Sequence, residues 1–434
     1  MEGLAVPALV TASVIFLLTY VGILSERIHR TTVAVVGAVA MVIAGTWMHF
    51  YGEAEAVTAI DIDTITLLFG MMVLASILQR TGLVQYLAIV VAKAARGEPW
   101  RLMVMLGLFA AFVSMLMDNV TTIIIVAPVT LSIADVLGIS AVPFLISQAV
   151  LSNIGGVATL IGDPPNILIA SAADLSFNDF LVHLGPVVLV SLVVVQALLL
   201  FLFRRQLRVT PSGLEGLARL DARRALLDPK TARKVLLVLA VTILLYLVHD
   251  LVCLGPGLVA VVGAGMGLLW VRPPVEEILR DVHWDVLIFF LCLFVIVGGL
   301  EAAGVLGLIA EAIAQLTAHG MAFAALSVLW VSAIMSAVVD NIPFTIAMIP
   351  VIAALGAHGV NVLPLWWALA LGAGFGGNGT PIGSTAGIVT VSMSAGGDTP
   401  VTFRMWLKSG SLAALASCIV ASAGLFLAIE AGWF

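Results

Sequence analysis

Met117-Asp118-Asn119-Val120-Thr121-Thr122, running on to Pro128, and Val339-Asp340-Asn341-Ile342-Pro343-Phe344-Thr345, running on to Pro350, are two versions of one motif. Asp118 and Asp340 are 222 residues apart, and so are Pro128 and Pro350. Each motif drops a carboxylate into the middle of a strongly apolar stretch. A charge at the centre of a bilayer costs about 2.5–3.5 kcal/mol on insertion scales and is rarely kept without a task. The same cost met twice, at one spacing, points to a transporter.

The composition sets the class. Of 434 residues, 62% are hydrophobic and 10% charged, against roughly 25% charged in soluble domains. Apolar runs of the length that spans a bilayer recur at Val6–Leu24, Thr32–Met48, Thr64–Leu78 and Phe180–Phe203. They return at Val235–Val248, Gly257–Val271, Val286–Leu300 and Leu412–Ile429. The expected fold class is an all-α polytopic membrane protein, and its net charge of −6 says little about partners because most of its surface faces lipid. Met1-Glu2-Gly3 lacks a basic region, so the first run reads as a retained span rather than a cleaved signal. Cys253, Cys292 and Cys418 form no CxxC, and the seven histidines form no HExxH pair, so no structural metal site is expected. Nothing matches GxxxxGK[ST] or GxSxG. The expectation is a carrier, not an enzyme, with no cofactor and no nucleic-acid partner.

The 222-residue offset extends beyond the aspartates. Asp63 maps to Asp285, Gly82 to Gly304 and Ser114 to Ser336; after a one-residue deletion, Gly155–Gly162 maps to Gly376–Gly383. The chain therefore divides into a repeat over 1–204, a linker over 205–232 and a second repeat over 233–434. Arg204 to Lys234 holds nine of the nineteen basic residues, which places the linker in the cytoplasm by the positive-inside rule. The same rule orients the halves. Arg27, Arg30, Arg80, Lys93, Arg96 and Arg101 have no basic counterparts, whereas the acidic loop Tyr51–Asp61 corresponds to one carrying Arg272 and Arg280. The charge bias flips at each comparable loop, as inverted-topology repeats require. Inversion needs an odd number of crossings per half, yet each half has about six apolar segments. One segment per half must enter and leave on the same side. The candidates are re-entrant helical hairpins at about 102–132 and 323–354, with the aspartates at their tips. About ten transmembrane helices and two hairpins result, with both termini outside.

Irregular backbone at membrane depth survives only where protein or water surrounds it. Besides the tips, two helices read as broken, over about 145–172 and 363–392, marked by Gly155, Gly156, Pro164 and Pro165 and by Gly376 and Gly377. Such breaks offer half-helix termini and free carbonyls to small polar solutes and ions. Asp118 and Asp340 suit helix capping as well as function, and both roles are compatible. Asp63 and Asp285 each begin a span and read as simple caps. Thr159, Thr380, Ser384 and Thr385 are open between solute binding and back-bonding to helical carbonyls.

At these motifs the chain resembles the ion transporter superfamily, most of all the branch shared by ArsB-type arsenite/antimonite permeases, NhaD-type sodium/proton antiporters and the melanosomal P protein. The matching stretches are Asp118–Thr122, Ser152–Gly156, Gly162-Asp163-Pro164-Pro165-Asn166, Asp340–Thr345 and Gly376–Thr380. The resemblance implies a dimeric inverted-repeat carrier with scaffold and transport domains, an elevator-like motion, and a substrate site between hairpin tips and broken helices. Dicarboxylate carriers of the superfamily have Ser-Asn-Thr at the tips; Asp-Asn here argues against a dianion, and no apolar run carries Arg or Lys to offset two carboxylates.

That chemistry suits protons, small cations or a neutral polyhydroxylated solute. Close carboxylates titrate as a coupled set. The expected function is arsenite or antimonite efflux coupled to proton antiport across the bacterial inner membrane. Asn119, Asn341, Asn153, Thr159, Asn378 and Thr380 would bind solute, and Asp118, Asp340 and Asp163 would handle protons. The alternative is a sodium/proton antiporter holding sodium at the same site, with an anion carrier behind it. The carrier would run on ion gradients, alone or with a soluble ATPase partner.

Overall fold

The computed structural model describes residues 2–433 apart from 26, 212–214, 216–220, 250, 251, 253, 308–319, 358 and 396–399. Cys253, His319 and His358 thus lie outside the described residues. Among the described residues every regular element is helical. The first half supplies α1 (Glu2–Leu24), α2 (Arg30–Trp47), α3 (Ile62–Arg80), α4 (Leu83–Ala94), α5 (Pro99–Ser114), α6 (Asn119–Leu137), α7 (Val142–Gly156), α8 (Pro164–Ala173) and α9 (Gly185–Phe203). The second supplies α10 (Pro229–Val248), α11 (Pro256–Val271), α12 (Trp284–Ala302), α13 (Met321–Val338), α14 (Asn341–Ala357), α15 (Leu363–Gly376), α16 (Thr385–Ser394) and α17 (Phe403–Glu430). Prolines open α5, α8, α10 and α11, where the first turn has no use for their missing N–H.

Nine of these helices are long and apolar enough to cross a membrane: α1, α2, α3, α6, α9, α10, α12, α13 and α17. Their outer faces are apolar as well. Val10, Val14, Leu17, Leu18 and Val21 of α1 are all exposed, the pattern of a helix solvated by lipid rather than water.

Packing repeats across the halves. α5 packs on α7 as α13 packs on α15; α3 packs on α11 as α12 packs on α2; α6 packs on α16 as α14 packs on α8; and α9 meets its counterpart α17. Every helix with a described counterpart therefore shares a pseudo-two-fold arrangement, and the contacts α3–α11, α12–α2, α6–α16 and α14–α8 tie one half to the other. Two groups emerge. One contains α1–α3 and α10–α12; the other contains α5–α9 and α13–α17. The linker crosses the corner between α3 and α4, where Leu227 N–H donates to the Thr81 carbonyl (3.0 Å).

Both expected hairpins have a helix on each side of the aspartate, α5–α6 and α13–α14, and both expected breaks are present between α7 and α8 and between α15 and α16. None of Gly155, Gly156, Gly376 and Gly377 is among the positive-φ residues, so they do not turn the chain. They permit approach instead. A Cβ on Gly155 would stand 2.4 Å from the Ala111 carbonyl oxygen, and one on Gly376 would stand 2.3 Å from that of Ala333. The neighbour is backbone in both cases and cannot swing aside. Alanine in a helix ordinarily gains about 1 kcal/mol over glycine, but overpacking costs about 1–3 kcal/mol. Gly155→Ala and Gly376→Ala should each lower the thermal midpoint in detergent. Gly265→Ala in α11, where a Cβ meets nothing within 4 Å, should leave the midpoint equal or higher.

Candidate functional site

The two hairpin tips meet the two breaks in the interior of the second helix group. Asp118 is the N-cap of α6: its Oδ1 accepts from Thr121 N–H (2.8 Å) and its Oδ2 from the Thr121 hydroxyl (2.6 Å). Asp340 occupies the same place before α14, but the residue matching Thr121 is Pro343, which has neither N–H nor hydroxyl to give. Asp340 Oδ1 is buried without a hydrogen-bond partner. Its Oδ2 accepts from Arg30 (2.7 Å) and from the Thr385 hydroxyl (3.2 Å). Arg30 opens α2 and also lies over the Phe289 ring, 5.3 Å from its centroid. This corrects the expectation that no basic side chain offsets the carboxylates. The guanidinium reaches inward from the N-terminal end of α2.

Asp163 lies in the first break, 1% exposed. Asn341 Nδ2 donates to both its oxygens (3.3 and 3.2 Å), and Asn119 Nδ2 to Oδ1 (3.4 Å). One amide from each hairpin tip therefore holds the same carboxylate, which also lies in the field of Asp340 and Asp118. Asn119 Nδ2 reaches Asn153 Oδ1 as well (3.0 Å), and Asn153 Nδ2 donates to Asn378 Oδ1 (2.8 Å) and the Ser384 hydroxyl (2.7 Å). Asn119, Asn341, Asn153, Asn378 and Asp163 thus form one buried network that links both breaks and both tips.

Thr159 and Thr380 stand apart from it. Thr159 Oγ1 donates to the Met115 carbonyl (2.7 Å) and Thr380 Oγ1 to the Ala337 carbonyl (2.5 Å). These are equivalent residues bonding equivalent turns, so the pair latches each break to its hairpin tip. Asn166 Nδ2 satisfies the carbonyls freed by the first break at Thr159 (2.8 Å) and Val157 (3.1 Å). Asp63 and Asp285 are not caps of their own helices. Asp61 caps α3 through the N–H groups of Asp63 and Thr64, while Asp63 Oδ1 accepts from Gly257 N–H at the start of α11 (3.0 Å). His283 holds the N-cap position of α12.

A cavity of about 240 Å³ sits where the groups meet, with Arg30, Asp118, His283, Asp285 and Thr385 as its polar wall. A second cavity, about 320 Å³, includes Asp61, Leu168, Phe294, Val297, Glu301 and Ile346. The repeat offset turns Asp61, Phe294, Val297, Ile346 and Leu168 into His283, Met72, Ala75, Ile124 and Val389, all of which line the first cavity. The two cavities are therefore repeat images of each other. The first reaches an aspartate at a hairpin tip; the second stops short of one.

Comparison with known proteins agrees with this architecture. The family described as citrate transporter matches residues 20–372, and the chain belongs to that family. An uncharacterized transporter of Mycobacterium tuberculosis is 40% identical over 425 residues, covering 96% of this chain and 98% of the relative. The P protein of Sus scrofa is 31% identical over 510 residues, covering 97% of this chain and 60% of the relative. Among solved structures, the YdaH transporter of Alcanivorax borkumensis, whose topology is described as unusual, superposes with a TM-score of 0.59 over 85% of each chain at 15% identity. The fold is shared with a transporter, and the protein is a membrane transporter of the citrate transporter family.

Asp163 is an ionisable carboxyl held inside protein by neutral amides. Asp163→Asn keeps the shape and removes the cost of ionising a group there. It should raise the thermal midpoint in detergent while abolishing gradient-driven transport; a lower midpoint would mean that the network needs the charge to fold.

Proposed function

We propose that this chain is a proton-coupled secondary carrier of a compact neutral solute, with arsenite or antimonite export as the best-fitting activity. The observation that carries the reading is Asp163, buried and hydrogen-bonded to one asparagine from each hairpin tip. A carboxylate in that position gains or loses a proton at the junction of the moving parts. Donors, not oxygen ligands, surround it, which favours a proton over sodium there.

The cavity wall supports a neutral cargo. Asp118 and Asp285 line it, and Arg30 on its wall is already paired with Asp340. A citrate-like trianion would meet these carboxylates and Asp163 against one committed guanidinium, and repulsion at such distances is strong. A trihydroxide such as arsenite carries no charge and can donate to Asp118 on the cavity wall. Sodium/proton exchange through Asp118 is the second reading, favoured by its position on the cavity wall without a basic partner among the described residues.

By the positive-inside rule, the charge pattern supports a topology in which the linker, Arg27 and the Arg272–Arg280 loop lie on the cytoplasmic side of a bacterial inner membrane. The cavity with Arg30 and His283 then faces the cytoplasm, and its repeat image, with Asp61, faces outside. Exchange between these two images is what alternating access around a fixed site requires.

The test is arsenite accumulation in everted membrane vesicles with and without an imposed pH gradient, and with sodium varied. Uptake that needs an acidic interior and ignores sodium supports arsenite/proton antiport. Absence of arsenite uptake together with sodium-dependent collapse of the pH gradient would replace it with sodium/proton exchange. Asp118→Asn and Asp340→Asn should each reduce driven uptake by about 100-fold or more, the scale set by a lost proton-transfer group, with membrane insertion unchanged.

A further inference from the structure

The two aspartate tips began as copies and now differ in one respect that no local motif explains. Asp340 has a guanidinium and Asp118 does not. The repeat alignment of Val33-Ala34-Val35-Val36-Gly37-Ala38 with Val259-Ala260-Val261-Val262-Gly263-Ala264 places Pro256 opposite Arg30. The structure agrees with that register: a Cβ on Gly37 would meet the hydroxyl of Thr19, and one on Gly263 would meet that of Thr242. Beside Arg30, Thr31 Oγ1 bonds the Asp285 carbonyl (2.9 Å), while the matching Gly257 bonds the side chain of Asp63.

We propose that Arg30 is a tethered counter-cation for Asp340, filling within the protein the cation position that Asp118 leaves open to an exchangeable ion. Three observations converge. Arg30 bonds Asp340 and Thr385 together (2.7 and 3.3 Å), bridging the second hairpin tip to the start of α16. Asp340 has lost its own cap to Pro343 and keeps a buried oxygen with no partner, so the guanidinium is its main compensation. Arg30 also lines the cavity that holds Asp118, so one chamber contains a neutralised and an un-neutralised member of the pair. The other charged or titratable groups around the position are Asp163 behind the tips, Asp118, His283 and Asp285 on the cavity wall, and Tyr20 of α1, whose hydroxyl donates to the Pro343 carbonyl.

The inference rests on the carrier reading only for its meaning, not for its test, which needs no transported solute. The purified full chain in detergent is melted across a pH series and a sodium series, as wild type, Arg30→Gln, Arg30→Lys and the double variant Arg30→Gln with Asp340→Asn. Without the guanidinium, Asp340 must acquire a proton or a sodium ion to remain packed, and either ligand stabilises the state that binds it. Arg30→Gln should therefore gain a dependence beyond that of wild type, its midpoint rising by roughly 3 °C or more over the wild-type response as pH falls or sodium is added, the shift of about 1 kcal/mol in a chain of this size. Arg30→Lys should restore the wild-type profile, and Asp340→Asn should erase the new dependence. An Arg30→Gln protein that folds only when Asp340→Asn is also present supports the same assignment. The proposal is overturned if Arg30→Gln keeps the wild-type profile, if the double variant retains the new dependence, or if neither variant folds. Failure of arsenite transport in vesicles would leave each of these outcomes readable.

Discussion

A carboxylate taken out of water must be compensated by hydrogen-bond donors, by a counter-ion or by a proton, and the irregular parts of this fold are placed where they supply one of these. Asp118 takes donors from the first turn of its own helix. Asp340 takes a guanidinium from α2. Asp163 takes one amide from each hairpin tip. The breaks between α7 and α8 and between α15 and α16 bring Asp163 and Ser384 into the same small volume as both tips. The carbonyls freed at the first break are bonded by Asn166, while Thr159 and Thr380 tie each break to the carbonyls of Met115 and Ala337 at the hairpin tips.

The two halves stop being alike at their polar centre. The packing surfaces keep their symmetry: Gly155 against Ala111 is reproduced by Gly376 against Ala333. The polar interior does not. Asn153 bonds Asn378 across the centre, while the residues at the reciprocal positions are Gly374 and Val157, which meet as apolar neighbours. Asp163 is matched by Ser384, Thr121 by Pro343 and Arg30 by Pro256. A perfectly symmetric site would hold two equivalent carboxylates at the tips and none, or two, at the breaks. Substitution has instead produced one paired tip, one unpaired tip and one central acid.

Much of this was legible in the chain because it is local or periodic. The duplication, the hairpin tips and the breaks follow from motifs a few residues long and an offset that any reader can count. Asp163, Asn119, Asn341, Asn153 and Asn378 were identifiable as polar residues stranded in apolar surroundings, and they converge. Thr159 and Thr380 had the same signal with a different outcome, since a hydroxyl also satisfies itself on a nearby carbonyl. Arg30 gave no such signal. It stands at the end of an apolar run, where arginine is ordinary, and its partner is 310 residues away. Only the packing of α2 on α12 brings its long side chain to the second tip. The loss of the cap at Pro343 was readable, and it is the one local hint that Asp340 needed help from elsewhere.

The position of Arg30 also connects electrostatics to motion. Arg30 and Tyr20 belong to the helix group α1–α3 with α10–α12, whereas their partners Asp340 and Pro343 belong to the second hairpin in the other group. No equivalent pair of contacts ties the first hairpin tip to the first group among the described residues. Any displacement of one group past the other therefore separates Asp340 from its counter-charge while leaving Asp118 and its cap intact, because Thr121 moves with it. The separated carboxylate cannot stay bare at membrane depth, where its cost is several kcal/mol. On the proposed carrier reading, a proton is the smallest group that could replace the guanidinium, so this one ion pair spanning the seam would link proton uptake at Asp340 to the change of state.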